Sequence, residues 1–190
     1  MKQSNAHNKN KGFTLIEMVV TIIIVGILSA VAVPSLLGLL NQTRVNDGRR
    51  QIESAIKEAQ RQAVRRSVPC TVILNATNNT ITAIPGTPTN PLPPGNTVQC
   101  LAGNKIINSD LEFKADVGGG ASATNIEIIF SRKGINTSGP RTIAVYRDGV
   151  VGGVQKCIII TANLGGAKSG IYTGDVSNNI VSNSCDLSNS

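Results

Sequence analysis

The chain has 190 residues and a mass of 19.8 kDa, room for one ordinary domain plus a targeting or anchoring segment but not for two large domains. Aromatic residues make up 3% with no tryptophan, so platforms for stacking bases or sugars are missing, and charged residues make up only 15%, under the usual share of about 25%. The formal net charge is +7, the one histidine is His7, and the four cysteines (Cys70, Cys100, Cys157, Cys185) have no C-x-x-C spacing. Without its first dozen residues the chain has no imidazole for a triad, a Cys–His dyad or a zinc site, and the spacing disfavours a four-thiolate metal site. Most of the usual catalytic apparatus is missing; no enzymatic activity, metal or cofactor is expected.

Residues 1–12 read MKQSNAHNKNKG, with Lys2, Lys9 and Lys11 and no acid. An apolar run, FTLIEMVVTIIIVGILSAVAVPSLLGLL, fills 13–40, and no residue from 18 to 40 is charged. At about 1.5 Å per residue such a helix spans the roughly 30 Å hydrocarbon layer of a bilayer. Basic residues before it predict a cytoplasmic N-terminus and an exported remainder. One reading is a secretory signal peptide cleaved after Ala30-Val31-Ala32. Against it, the run continues through Leu36, Leu37, Leu39 and Leu40. Glu17 stands at the start of the run. A carboxylate costs about 2.5–3.5 kcal/mol at the centre of a membrane helix and less near the interface, so this one asks for a positive partner.

The segment Lys11-Gly12-Phe13-Thr14-Leu15-Ile16-Glu17 resembles the processing motif of type IV prepilins and type II secretion pseudopilins. The resemblance implies cleavage between Gly12 and Phe13 by a membrane-embedded prepilin peptidase, which would also methylate the new amine of Phe13. Gly12, lacking a Cβ, lets the scissile backbone fit closely. The resemblance further implies that Glu17 pairs with the N-terminal amine of a neighbouring subunit during assembly, offsetting its desolvation. Pro34 removes a backbone hydrogen bond and bends the helix; it matches a proline that pilins often carry, where the helix stretches or melts on filament packing.

Residues 44–66, RVNDGRRQIESAIKEAQRQAVRR, place Val45, Ile52, Ala55, Ile56, Ala59, Ala63 and Val64 at steps of three, four and seven, one helical face for covering a globular domain. Glu53 and Lys57 form an i,i+4 pair in the favourable order, Pro69 stops the helix, and Asp47-Gly48 predicts a bend or hinge. This segment has seven basic and three acidic residues, net +4; residues 67–190 have eight and seven, net +1. Arg50, Lys57, Arg61 and Arg65 make a stripe at i, i+7, i+11 and i+15. The stripe is a candidate contact for nucleic acid or an acidic partner, or else a solvated face.

From 68 onward, short β-branched runs alternate with turn chemistry. Strands are expected at 70–74, 80–84, 97–101, 125–130, 141–146, 156–161 and 169–173. A hairpin turn is expected at 75–79, an exposed proline-rich loop at 85–96, a flexible glycine run at 118–120, a turn at 147–149 and a polar tail from 177. The expected fold class is α+β: a type IV pilin-like long N-terminal helix, membrane half plus amphipathic half, packed on an antiparallel β-rich head. The organisation reads as a leader (1–12), a transmembrane and assembly helix (13–40), an amphipathic basic helix (41–66) and a head with its tail (67–190).

The junction AVRRSVPCTVIL and the segment IIFSRKGINTSG resemble the GspH/FimT-type branch of pilin-like proteins, the second as a strand, an Arg-x-Gly turn and a second strand. Some members of this branch bind DNA through a Gly-Arg-x-Arg element; the nearest counterpart here, Gly166-Ala167-Lys168-Ser169, keeps only Lys168 as a base, which weakens the case for multiple phosphate contacts. Four cysteines after the apolar run suggest two disulfides. Of three connectivities, Cys70–Cys100 with Cys157–Cys185 is favoured, each closing about thirty residues for roughly 3–4 kcal/mol.

The sequence therefore reads as a minor pilin of a type IV pilus, a tip or initiation subunit. Two alternatives stand beside it, a GspH-like pseudopilin of a type II secretion system and a DNA-binding minor pilin for natural transformation. Expected partners are other pilins, prepilin peptidase, the inner membrane and, as the third reading requires, DNA. The expected location is a single-pass inner-membrane protein with a periplasmic head, then the pilus surface.

Overall fold

The computed structural model describes residues 12–92, 98–116, 122–147, 149, 153–162 and 166–188, with backbone only at 31–35, 91 and 122. His7, the leader's three lysines and the glycine run at 118–120 lie outside the described residues, as do 93–97 of the proline-rich loop and Asp148 of the expected turn. For Pro34 only the helical backbone is described.

The chain divides into two units, Met1–Leu39 and Leu40–Ser190. One helix, α1 (Leu15–Arg66), runs from the first into the second.

In the first unit the helix starts at Thr14, whose side chain caps it. The Thr14 hydroxyl accepts from the Glu17 N–H at 3.3 Å, and the Thr14 carbonyl accepts from Met18 N–H. Thr21 and Ser29 donate their hydroxyls to the carbonyls of Met18 and Val25, so neither presents a free donor outward. The apolar residues here are exposed: Leu15 is 82% accessible, and Ile22, Ile27 and Leu37 are over half exposed.

Among the described residues no helix is long and apolar enough to cross a membrane. This overturns the expected transmembrane half of the helix. It equally overturns the single-pass inner-membrane placement with cytoplasmic N-terminus and periplasmic head.

In the second unit the helix buries Val45, Ile52, Ala55, Ile56, Ala59 and Ala63, the face that the 3.6-residue period picks out; Val64 is the exception, half exposed. Its end is a Schellman cap. Ser67 adopts φ 53°, Val68 N–H reaches the Ala63 carbonyl at 3.2 Å and Ser67 N–H reaches Val64 at 3.3 Å. The helix continues through the expected hinge at 47–48. Gly48 is there because Leu111 needs the space: a Cβ on Gly48 would lie 2.5 Å from Leu111 Cδ1.

Two antiparallel sheets complete this unit. The first contains β1 (Cys70–Asn75), β2 (Thr80–Thr87), β3 (Asn90–Pro91), β4 (Lys105–Ile106) and β7 (Asn125–Phe130), ordered β3-β2-β1-β7 with β4 also on β2. The β1–β2 hairpin pairs Asn75 with Thr80, and Asn79 takes φ 50° in its turn, a conformation that Asn tolerates. The second contains β5 (Glu112–Asp116), β6 (Ser122–Ala123), β8 (Arg141–Tyr146), β9 (Lys156–Ile160), β10 (Ala167–Tyr172) and β11 (Cys185–Asp186), ordered β11-β10-β9-β8-β5-β6. Residues 98–101 form no strand, contrary to expectation, and the strand expected after the Arg-x-Gly turn shrinks to one bridge, Phe130 to Asn136.

The main core joins the helix face to Val72, Leu74, Ile81, Phe113, Ile126, Ile128, Phe130, Ile143, Val145, Ile158 and Ile160. A second cluster, Ala144, Cys157, Tyr172, Ile180 and Cys185, lies on the other face of β8 and β9; the C-terminal segment covers it, which is why five of the six β8 residues are buried. The disulfides are Cys70–Cys100 and Cys157–Cys185, the pairs favoured on sequence. One ties the end of the proline-rich loop to β1, and the other ties the tail to β9.

Candidate functional site

The residues singled out on sequence fall in three places. Gly12 and Phe13 precede the helix and are exposed, with nothing within 4 Å of where a Gly12 Cβ would stand. Four residues on, Glu17 occupies the third helical position. There its backbone is capped by Thr14, and its charge meets the positive end of the helix dipole. The N-cap is legible in the sequence as Thr14-x-x-Glu17. It gives Glu17 a local role in starting the helix besides any role in assembly. Glu17 is also the single charged residue of 13–40, on a segment whose described large side chains are exposed around the helix.

The basic stripe separates into parts. Lys57 donates to Glu53 Oε1 at 2.6 Å, and Arg49 donates to Glu53 Oε2 at 2.8 Å, so this lysine is engaged on its own helix. Glu58 takes Lys105 at 2.8 Å and the Ala102 N–H at 2.8 Å. The Lys105 hydrogen bond holds its carboxyl below the ordinary glutamate range against the opposing effect of burial, and the Ala102 N–H adds to the lowering. Arg44 pairs with Asp110 at 3.0 Å, and Arg147 bonds Asn41. Arg61 and Arg65 remain exposed without an ion pair among the described residues.

Arg61 and Arg65 line a groove of about 450 Å³ with Gln60, Val64, Lys133, Gly134 and Ile135. Gln60 Nε2 donates to the Gly134 carbonyl at 2.8 Å, fastening the turn after β7 to the helix. Gly134 has φ 75°, and a Cβ there would lie 2.9 Å from Val64 Cγ2, so the close approach also requires glycine. Arg50 lies elsewhere, at a smaller cavity against β9 and β10. Lys168 is exposed on β10 of the second sheet. The five candidate contacts thus do not form one surface: Lys57 is paired, and Arg50 lines a different cavity from Arg61 and Arg65. Among the described residues no group of three or more His, Cys, Asp or Glu side chains could hold a metal ion.

Residues 7–33 match the family model described as the prokaryotic N-terminal methylation motif. Among curated protein sequences none matches this chain significantly. Two solved structures of the minor pseudopilin EpsH, from the type II secretion system of Vibrio cholerae, superpose on it. One has TM-score 0.51, 12% identity and coverage of 67% of this chain and 95% of EpsH. The other has TM-score 0.50, 11% identity and coverage of 66% and 94%. This chain has the type IV pilin-like, minor-pseudopilin fold. The type IV minor pilin FimU of Pseudomonas aeruginosa also matches, at TM-score 0.48 and 12% identity over 73% of this chain and 94% of FimU.

Proposed function

We propose that the chain is a non-enzymatic structural subunit of a filament of the minor-pilin or pseudopilin kind. The observation that carries this reading is the 13–40 segment. Its described large side chains are exposed around the helix, and a helix apolar on every side is stable only when it is buried, which packing among helices of the same kind achieves. Its one carboxylate, Glu17, is four residues from Phe13. Covering the helix with copies of the same kind removes Glu17 from water, and a neighbour's Phe13 amine is the opposite charge that offsets the cost.

Processing between Gly12 and Phe13 creates that amine. The methylation motif over 7–33 supports a prepilin peptidase as partner. Within the filament the finer reading is a type IV pilus subunit acting at the tip or in initiation, with Glu17 and Pro34 as assembly residues. A second reading, a type II secretion pseudopilin, draws support from the EpsH superpositions. Duplex DNA as a ligand has less support, since Lys57 is given to Glu53 and the remaining candidates do not share one surface.

The test is the mass of the mature chain. Processing as proposed gives N-methyl-Phe13 at the N-terminus; a chain beginning at Val33 returns the segment to a signal peptide and removes the filament reading.

A further inference from the structure

Lys156 stands on the core side of β9, in line with Ile158 and Ile160, and only 9% of it is accessible. Its side chain has no hydrogen bond or ion pair among the described residues. It lines a cavity of about 200 Å³ with Asn46, Arg49, Arg50, Ser169 and Gly170. Three cations therefore converge on one small space. Glu53, the carboxylate that Arg49 meets, is already divided between Arg49 and Lys57. The Lys156 ammonium is not sealed from solvent, so its stem is buried while its charge, with the guanidinium groups at the same wall, gives the cavity a positive field that favours an anion.

We propose that this cavity is an oxyanion-binding site, taking a phosphate or carboxylate group between Lys156 and Arg50. Arg49 adds positive field, and Asn46 and Ser169 supply neutral donors at the wall. The cavity has the size for one such group with a little water. The walls come from α1, β9 and β10, which the main core and the β9–β10 ladder fix in place, so the site is formed before the anion arrives. Gly170 contributes by its missing side chain. A Cβ there would stand 2.1 Å from the Asp186 carbonyl, so glycine keeps β10 in position under β11. The site is independent of the filament reading, since none of its residues lies in the 13–40 segment. The chemistry could be supplied by a free inorganic ion or by a carboxylate on another chain, and the two sources are separable.

The experiment is calorimetric titration of the full chain, kept in mild detergent because of its exposed apolar segment, with sodium phosphate and separately with sodium acetate. Chloride holds the ionic strength constant. The expected result is one saturable site per chain, weakened at least about ten-fold by Lys156→Met and several-fold by Arg50→Gln. Acetate binding as well as phosphate shows that the site accepts a carboxylate such as another chain would present; phosphate binding alone restricts it to a tetrahedral oxyanion. Arg50 is exposed, so Arg50→Gln folds even if Lys156→Met does not. Absence of saturable binding by either anion overturns the proposal, as does binding that neither substitution weakens.

Discussion

Gly48→Ala sets two known effects against each other inside one helix. Replacing a helical glycine by alanine normally gains about 1 kcal/mol. Here the new Cβ lies 2.5 Å from Leu111 Cδ1 and 3.6 Å from Ile107 Cγ2 and Val145 Cγ1. Leu111 is 1% accessible and Ile107 is equally buried, so the leucine has no open space to turn into, and overpacking of this kind costs about 1–3 kcal/mol. The clash outweighs the propensity, and the variant is expected to lose about 1 kcal/mol. Leu111→Ala alone is expected to lose about 2–5 kcal/mol through the cavity it leaves. In that background the methyl at 48 enters empty space, and Gly48→Ala becomes stabilising by about 1 kcal/mol. Urea unfolding of the four chains gives the coupling directly, expected near 2 kcal/mol with opposite signs in the two backgrounds. Stabilisation by Gly48→Ala in the otherwise unchanged chain would refute the packing account and return Gly48 to a flexible point of the helix.

Replacing Cys157 and Cys185 together by Ala opens a 28-residue separation and is expected to cost about 3–4 kcal/mol, read as a lower urea midpoint; a loss under about 1 kcal/mol contradicts the role of this link in holding the tail. Gly170→Ala forces the Asp186 carbonyl away from a contact of 2.1 Å and is expected to cost at least about 2 kcal/mol, with faster amide exchange in β11 than in β8; unchanged exchange there counts against it. Glu58 has a folded pKa lowered chiefly by Lys105 from the usual value near 4.5. Its contribution is therefore complete above that value and disappears as the pH falls through the lowered one. Glu58→Gln should cost up to about 1 kcal/mol at pH 7 and progressively less below pH 4.5. A difference that grows on acidification contradicts the sign.

Legibility followed locality. The strands Asn125–Phe130 and Arg141–Tyr146 are the segments expected at 125–130 and 141–146, because β-branched runs bounded by turn residues carry their own signal. The helix face worked for the same reason, from Val45 to Ala63. Strand Glu112–Asp116, EFKAD, was missed: it has three charges, although Phe113 and Ala115 alternate inward. Residues 98–101 were misread because Cys100 and Leu101 are buried by the disulfide and the core without a strand pairing. Gly48 looked like a hinge since nothing near it in sequence announces Leu111. The membrane assignment was read from an apolar run that, in the described residues, supplies no spanning helix. At the N-terminus Gly12, Phe13 and Glu17 form a contiguous motif and were visible at once. The cavity around Lys156 was not, since its cations come from an early helix and a late strand.

The central claim is that the chain enters a filament through its processed N-terminus. Filaments sheared from cells producing the chain should contain it, starting at N-methyl-Phe13. Substitution of Gly12 by a bulky residue should leave the chain unprocessed and absent from the filament fraction while the head still forms both disulfides. Recovery of the unprocessed Gly12 variant in filaments, or absence of the normal chain from them, would contradict the account.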